Sequence, residues 1–488
     1  MPGANRLGVH RGLGARDFKL VAHGGFGDGH NSYAHSMAWF RGRVYVTTMR
    51  GAFALMRSRL QLGLDTWPVE GPPDPFDLDL AAEIWAYDPR LDLWERVYKA
   101  PTIIGSHGKP IPRDISYRSI AVHQERPDGP EVLYVSTWSP ARGPGPIILR
   151  SEDGRRFEPT CEPGLVGLPV TTIRSLVSFK GRLYTTPAGS RGGNTNISGH
   201  VVVYESRDPA SGHWEPVSDL GFGDLSNKSL HEMCAWGDHL YAGTLNLDGF
   251  QLWRSTCEGE APYEWEKVLD FGAGRGKLNQ GVLSMQPFKG HLYIGTGIQG
   301  GGIDRANGVG PAAAELIRLH PDMSWDLIVG EPRDTAWGPK APLSGRWPGF
   351  DNFFNGYFWR MCEHDGWLYM GTFEWSGVIG YVKHSRWPGA FSNMLGYVTP
   401  KALHENQTGF DLYRSFDGEN WVPVTTNGMG NPYNMGLRTL ESTPYGLFIG
   451  TANPWGPRVM PLDANDYVFN PRGGCEIFLG RTPAAAER

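Results

Sequence analysis

The chain has 488 residues, a formal net charge of −5, and 66 Gly, 18 Trp and 19 Tyr among them. No Lys/Arg run marks a nucleic-acid footprint, and no apolar stretch is long enough to span a bilayer. Neither nucleic acid nor membrane is therefore expected as a partner, and the expected partner is a small-molecule substrate.

In chain order, MPGANRLGVHRGLGARDF has basic residues but no apolar h-region, so no secretory signal is expected. The five cysteines (Cys161, Cys234, Cys257, Cys362, Cys475) are odd in number, widely spaced and without a CxxC, which points to reduced thiols and a cytoplasmic location. Segment 17–28, DFKLVAHGGFGD, matches the outer strand and exit seen again in WEPVSDLGFGD at 214–224. A module of apolar strand, short turn and LYxGT-type strand then recurs about every 50 residues. It reads SMAWFRGRVYVTT (36–48), SLVSFKGRLYTTP (175–187), MCAWGDHLYAGT (233–244), SMQPFKGHLYIGT (284–296), MCEHDGWLYMGT (361–372) and TLESTPYGLFIGT (439–451). A looser copy is SIAVHQERPDGPEVLYVST (119–137).

Sheets that cannot bury both faces alone must stack, and radial stacking gives a propeller. The expected fold is all-β, a single seven-bladed β-propeller domain of four-stranded antiparallel blades over 1–488. The blades are expected at 35–100, 118–160, 174–220, 231–271, 283–330, 358–425 and 437–482. The C-terminal blade stops after its third strand, CEIFLGR, so 17–28 should close it as the outer strand and remove the free edges.

Two outer hairpins, SEDGRRF (151–157) and SFDGENW (415–421), share an S-x-D-G-x-x-[FW] turn. Ser and Asp suit such a turn because their side chains bond local backbone while the aromatic packs inward. The turn resembles the Asp-box of sialidase-like propellers. That resemblance covers nearly the whole chain at the level of fold and implies a structural part for Asp153 and Asp417. It does not extend to sialidase activity, because no FRIP-like segment or Tyr/Glu nucleophile pair can be assigned.

The inner turns (FRGR, FKGR, WGDH, FKGH, HDGW, TPYG) are minimal, whereas loops 51–82, 187–199, 297–313, 376–408 and 453–473 are long. So are 101–117 and 331–357. They hold Trp67, Trp337, Trp347, Phe350, Phe353, Phe354, Trp375, Trp387 and Trp455, a content unlike disorder. They are expected on one face, packed as a cap over the channel.

Aligned on the LY motif, Asn31, Asn227, Asn279, Asn355 and Asn434 fall in one slot, which reads as scaffold. Four residues on, the slot diverges: His35, Arg118, Arg174, His231, Leu283, Trp359 and Arg438. Arginine binds carboxylate or phosphate through its planar fork, and histidine suits proton transfer near neutrality. His35, His231 and Glu374 are therefore candidate acid/base residues. Arg118, Arg174, Arg438, Arg360, Tyr117, His107, Arg50, Asn246, Asn453 and Trp359 are candidate substrate contacts, with His30 and Lys228 nearby in sequence. The expected function is an enzyme, a lyase, cyclase or hydrolase of specialised metabolism, acting on a small anionic or aromatic metabolite. The alternatives are a non-catalytic scaffold propeller and a His-ligated oxygenase-like enzyme. No cofactor is required by the first reading. A transition metal in the last would use His35, His231 and His107, although no HxH or HExxH is present.

Overall fold

The computed structural model describes residues 11–482 apart from 58–63, 65, 192–193, 383–392 and 394–396. Alternating apolar residues build a mostly β architecture with a large antiparallel sheet system. In the first unit, strands Asn31–Phe40, Arg43–Arg50, Glu83–Asp88 and Leu93–Lys99 pair in sequence as a meander. The inner strands of the following meanders are Ser116–Gln124, Thr172–Phe179, Asn227–Trp236, Gly281–Phe288, Asn355–His364 and Gly436–Thr443. The last meander ends with Ile477–Gly480, and Phe18–Ala22 pairs antiparallel with it, so the N-terminal strand is the outer strand of the C-terminal unit.

Single backbone bridges tie one meander to the next: Met49 to Ser116, Trp138 to Thr172, Leu245 to Gly281, Gly297 to Tyr357 and Phe373 to Gly436. The third and fourth meanders meet through their inner strands, and Tyr33 bridges to Ala452, joining first to last. The architecture is propeller-like. Between meanders, Tyr, Leu, Ile and Val from facing sheets fill the core, as in the cluster of Tyr241, Leu252, Leu292, Ile294 and Trp325.

The asparagine slot is a scaffold with one repeated geometry. Asn31 Nδ2 donates to the Gly25 carbonyl and to Glu83 Oε2, both at 2.9 Å. Asn227 uses Gly221 and Gln251, Asn279 uses Gly272 and Glu315, Asn355 uses Gly349 and Asp411, and Asn434 uses Gly428 and Glu476. Each amide pins the turn before its strand to a side chain at the start of the third strand of its own meander or immediately before it, which satisfies buried polar groups that would otherwise cost stability.

The S-x-D-G turns are equally local. Asp417 Oδ1 accepts from the amides of Glu419 and Asn420 at 2.9 and 2.8 Å, and Ser415 Oγ accepts from Gly418 N at 2.8 Å. Asp153 does the same with Arg155 and Arg156 at 2.8 and 2.9 Å. Gly418 has a φ of 82°, and a Cβ there would sit 1.8 Å from the hydroxyl of Tyr293 on the preceding meander. Gly418→Ala is therefore expected to lose about 1–3 kcal/mol, from left-handed strain plus overpacking. Urea denaturation measures it, and an unchanged midpoint would contradict the packing described.

Long loops of the first, sixth and seventh meanders pack on one another. Phe53 lies 5.0 Å from Trp455 and 6.0 Å from Trp67, and Tyr381 lies 5.8 Å from Trp455, between ring centroids. Bridges Leu64–Val382 and Val69–Val459 knit the same loops, and Tyr467 donates to the Trp67 carbonyl at 2.8 Å. Trp387 lies outside the described residues.

Candidate functional site

Every inner strand carries a β-bulge at the same height, and the divergent slot coincides with it. The regular ladder is interrupted between Ala34 and Ser36, Tyr117 and Ser119, Ile173 and Leu176, Leu230 and Glu232, Val282 and Ser284, Phe358 and Arg360, and Leu437 and Thr439. The residues inside these interruptions include His35, Arg118, Arg174, His231, Leu283, Trp359 and Arg438. A bulge releases a residue from the ladder and re-aims its side chain. One backbone device, repeated around the structure, thus presents residues whose chemistry is free to differ.

The arginines and histidines of this slot converge. Arg118 Nη2 and Arg174 Nη1 both donate to Asn196 Oδ1, at 2.5 and 2.7 Å, and Arg174 Nε donates to the His231 carbonyl at 3.2 Å. Arg360 Nη1 meets Glu232 Oε2 at 2.8 Å. Arg438 lies 5.1 Å over the ring of Trp359, and Arg118 lies 5.2 Å over that of Trp138. His35 Nδ1 is in a close hydrogen bond with Ser116 Oγ. Tyr33 stands edge-on to both His35 and Trp359, each at 6.0 Å, and Trp359 packs 5.8 Å from Tyr357 and 5.2 Å from Phe373. The cluster is therefore cationic, with an aromatic wall.

Its electrostatics are set by burial and then by like charge. Burial pushes Arg174 down to about 10, with Glu232 raising it and Arg360 lowering it further. Arg118 and Arg438 are held well below the ordinary guanidinium range by burial, and the other ring arginines add to the depression. His35 and His231, only 4% and 5% exposed, are pushed well below the usual imidazole value by burial and then by the neighbouring arginines. Both imidazoles are accordingly neutral in the free protein. Glu232 is the acid whose charge acts on Arg118, Arg174 and Arg438, and it is already engaged with Arg360. Buried polar atoms here lack hydrogen-bond partners among the described residues: Nε and Nη1 of Arg118 and Arg438, both His231 ring nitrogens, and Ser229 Oγ. Native structures rarely leave such groups unsatisfied.

The remaining candidates lie elsewhere. Arg50 is buried in an ionic knot, 2.7 Å from Asp28 and 3.7 Å from both Asp79 and Glu83, and donates to Asn31 Oδ1 at 3.1 Å. Asn246 and Asn453 donate to Asn227 Oδ1 and Asn434 Oδ1 in the same way, each at 3.1 Å. These three belong to the asparagine scaffold. Glu374, of the same register, is fully buried and accepts from the amides of Ser376 at 2.8 Å and Gly409 at 3.3 Å. Desolvation raises its carboxyl to about 8, and the nearby charge acting on it is Asp411 rather than a ring arginine. Tyr117 points into the core against Tyr98, 6.0 Å away, because it pairs in the ladder while Arg118 bulges. His107 sits exposed in the turn between strands Thr102–Ile104 and Pro110–Pro112. A shared metal at His35, His231 and His107 does not fit: His107 is remote from the slot, and the guanidiniums around the other two oppose a dication. Among the described residues no group of three or more His, Cys, Asp or Glu could hold a metal ion.

Sequence reasoning missed Asn196, Glu232, Ser116, Ser229 and the aromatic pair Tyr33 and Tyr357. Glu232 and Arg360 directly follow slot residues, and the bulges that could have flagged them leave no mark in strand alternation. A separate cavity of about 320 Å³ is lined by Arg275, Leu278, Pro311, Ala312, Trp347 and Phe353. Arg275 there is neutralised by Glu315 at 3.3 Å and Glu331 at 3.6 Å, so uncompensated charge distinguishes the ring, not this cavity.

No protein-family description matches the chain, and no curated protein matches it. Solved structures do resemble it in architecture. A puromycin hydrolase is 11% identical over 90% of this chain and 53% of its own, with a TM-score of 0.45. A GH74 xyloglucanase from Xanthomonas campestris is 15% identical over 89% of this chain and 53% of its own, at 0.41. A puromycin-hydrolysing peptidase of Mycobacterium tuberculosis is 10% identical over 93% and 54%, at 0.45. The chain spans about half the length of these proteins. At such scores the likeness carries nothing about activity. Among the described residues no helix is long and apolar enough to cross a membrane.

Proposed function

We propose that the repeated meanders are seven blades of a closed propeller, and that the protein is an enzyme acting on a small anionic, aromatic molecule bound among Arg118, Arg174, Arg360 and Arg438. The observation that carries this reading is the set of desolvated guanidiniums gathered around two neutral imidazoles and one carboxylate. A buried cluster of like charge is costly, and an anion that enters it turns repulsion into charge-assisted hydrogen bonds. The rings of Tyr33, Trp138, Tyr357 and Trp359 supply a matching apolar surface.

Such a ligand also changes the histidines. Its negative charge offsets the arginines' field and moves the His35 and His231 pKa values upward, into the range useful for proton transfer. The arginines polarise an oxygen while an imidazole carries the proton, a division of labour shared by lyases, cyclases and hydrolases. Reduced thiols and a cytoplasmic setting accompany this reading.

The test is calorimetric titration of the full chain with benzoate and with inorganic phosphate. Benzoate keeps its charge across neutral pH, so any pH dependence of its binding belongs to the protein. Because ligand raises the imidazole pKa values, protons are taken up on binding and affinity should rise as pH falls from 8 to 6. Arg174→Ala should weaken binding at least tenfold. If neither probe binds, or Arg174→Ala binds as well as the parent, the reading fails.

A further inference from the structure

Loop 187–199 places one neutral side chain among the ring cations. Asn196 Oδ1 accepts from Arg118 Nη2 and Arg174 Nη1, at 2.5 and 2.7 Å. Local bonds hold it there: Asn196 N donates to Asn194 Oδ1 at 2.8 Å, Ser198 N donates to the Lys228 carbonyl at 2.9 Å, and Arg191 Nη2 donates to the Pro144 carbonyl at 2.8 Å. The segment therefore reaches from its own meander to both neighbours. A carboxamide oxygen bears only partial charge, whereas a hydrogen bond between guanidinium and a true oxyanion is roughly twice as strong as a neutral one. Arg118 still has Nε and Nη1 without partners, so one amide oxygen does not satisfy this pair.

Resting on the anion-site reading above, we infer that Asn196 Oδ1 occupies the position of one oxygen of the bound ligand. The ligand's carboxylate or phosphate group displaces the Asn196 side chain and takes both guanidiniums in its place. Asn196 is then a neutral plug that keeps Arg118 and Arg174 together between turnovers, and its removal opens the site. A residue that merely positions the two arginines would behave in the opposite way, since its loss would let them swing apart. Because Asn196 is a half-buried loop residue with no part in the core, its variants are expected to fold.

The experiment compares Asn196→Ala, Asn196→Asp and the parent chain in low-salt buffer, titrated with inorganic phosphate and with benzoate, with thermal melting as a control for folding. Asn196→Ala should bind at least one probe about threefold or more tighter, because no side chain has to be displaced. Asn196→Asp should bind both at least tenfold more weakly, because its own carboxylate now satisfies both guanidiniums. The probe that gains more in Asn196→Ala identifies the ligand group as carboxylate or phosphate. Weaker binding in Asn196→Ala, comparable with Arg174→Ala, would overturn the inference and make Asn196 a positioning residue. Parent-like binding in both Asn196 variants would overturn it too, while leaving the anion site intact. If no probe binds the parent or Asn196→Ala, the inference falls together with the anion-site reading.

Discussion

Arg438→Met is expected to raise the stability of the ligand-free protein while lowering its affinity for anions by about a hundredfold. Arg438 is 4% exposed, its Nε and Nη1 find no hydrogen-bond partner among the described residues, and its contact with Trp359 is an aromatic face 5.1 Å away. Burial first, and then the charges of Arg360 and Arg174, disfavour its guanidinium. Replacing a buried, poorly paired ion by an apolar group of similar volume is commonly neutral or stabilising by about 1–4 kcal/mol. Methionine fills the stem's space and keeps a favourable contact with the indole. The affinity loss corresponds to roughly 2.7 kcal/mol, within the range for removing one side of a buried charge-assisted pair. Denaturant titrations of the two proteins in chloride buffer test the first half. Adding phosphate should narrow the stability gap, because ligand stabilises only the protein that binds it. A lower midpoint for Arg438→Met in phosphate-free buffer would mean that Arg438 holds the meanders together, not a ligand.

The parts of this structure legible in the sequence are those with a period. The LYxGT strand, its short turn and its partner recur, so the meanders and the pairing of the Phe18–Ala22 strand with the last of them could be read directly. The variable slot was legible for the same reason, as a position that broke a repeat. Alternation, however, assumes an unbroken ladder, and each inner strand has a bulge at the slot. Between Leu230 and Glu232 the ladder omits His231, and between Phe358 and Arg360 it omits Trp359. Glu232 and Arg360 then meet each other in the cluster, although strict alternation would assign neither to the face of its predecessor. Asn196 was illegible for another reason. It comes from a connecting loop whose sequence is not repeated in the other meanders, and tertiary placement alone brings it to Arg118 and Arg174. Arg50, Asn246 and Asn453 share a register because each brackets the asparagine of its own meander with a hydrogen bond, and Glu374 stands at the same register.

Glu374 is the odd member of that bracket and supports a second expected result. In the related positions the strand residue donates to its asparagine: Arg50 to Asn31, Asn246 to Asn227 and Asn453 to Asn434. Glu374 is paired in register with Asn355, whose Oδ1 has no hydrogen-bond partner among the described residues. A carboxylate cannot donate, but a protonated carboxyl can. Burial, with Asp411 adding to it, raises Glu374 from 4.5 to about 8, so the neutral acid is the form that suits this place. Between pH 4.5 and about 8 the folded chain therefore retains a proton that the unfolded chain releases. Stability contributed by this group is fully present below the lower value and falls as pH rises through the window. Glu374→Gln stays neutral at every pH, but its Nε2, which can only donate, replaces one of the two oxygens that accept from the Ser376 and Gly409 amides. The variant should start near pH 5 with a deficit of about 1–3 kcal/mol for the amide left without an acceptor, and gain on the parent by a few kcal/mol between pH 5 and 8, since a retained proton costs on the order of 1.4 kcal/mol for every pH step of one across the window. Asp411, raised to about 6 mainly by burial, titrates with the same sign and remains in both proteins, so the difference between them isolates Glu374. Glu374→Ala, which leaves the Ser376 and Gly409 amides unpartnered, should be less stable than Glu374→Gln at every pH. Denaturant midpoints measured from pH 5 to 8 decide the matter. A Glu374→Gln stability that does not gain on the parent as pH rises would show that Glu374 is ionised in the folded chain, and would make it again a carboxylate able to act as a base.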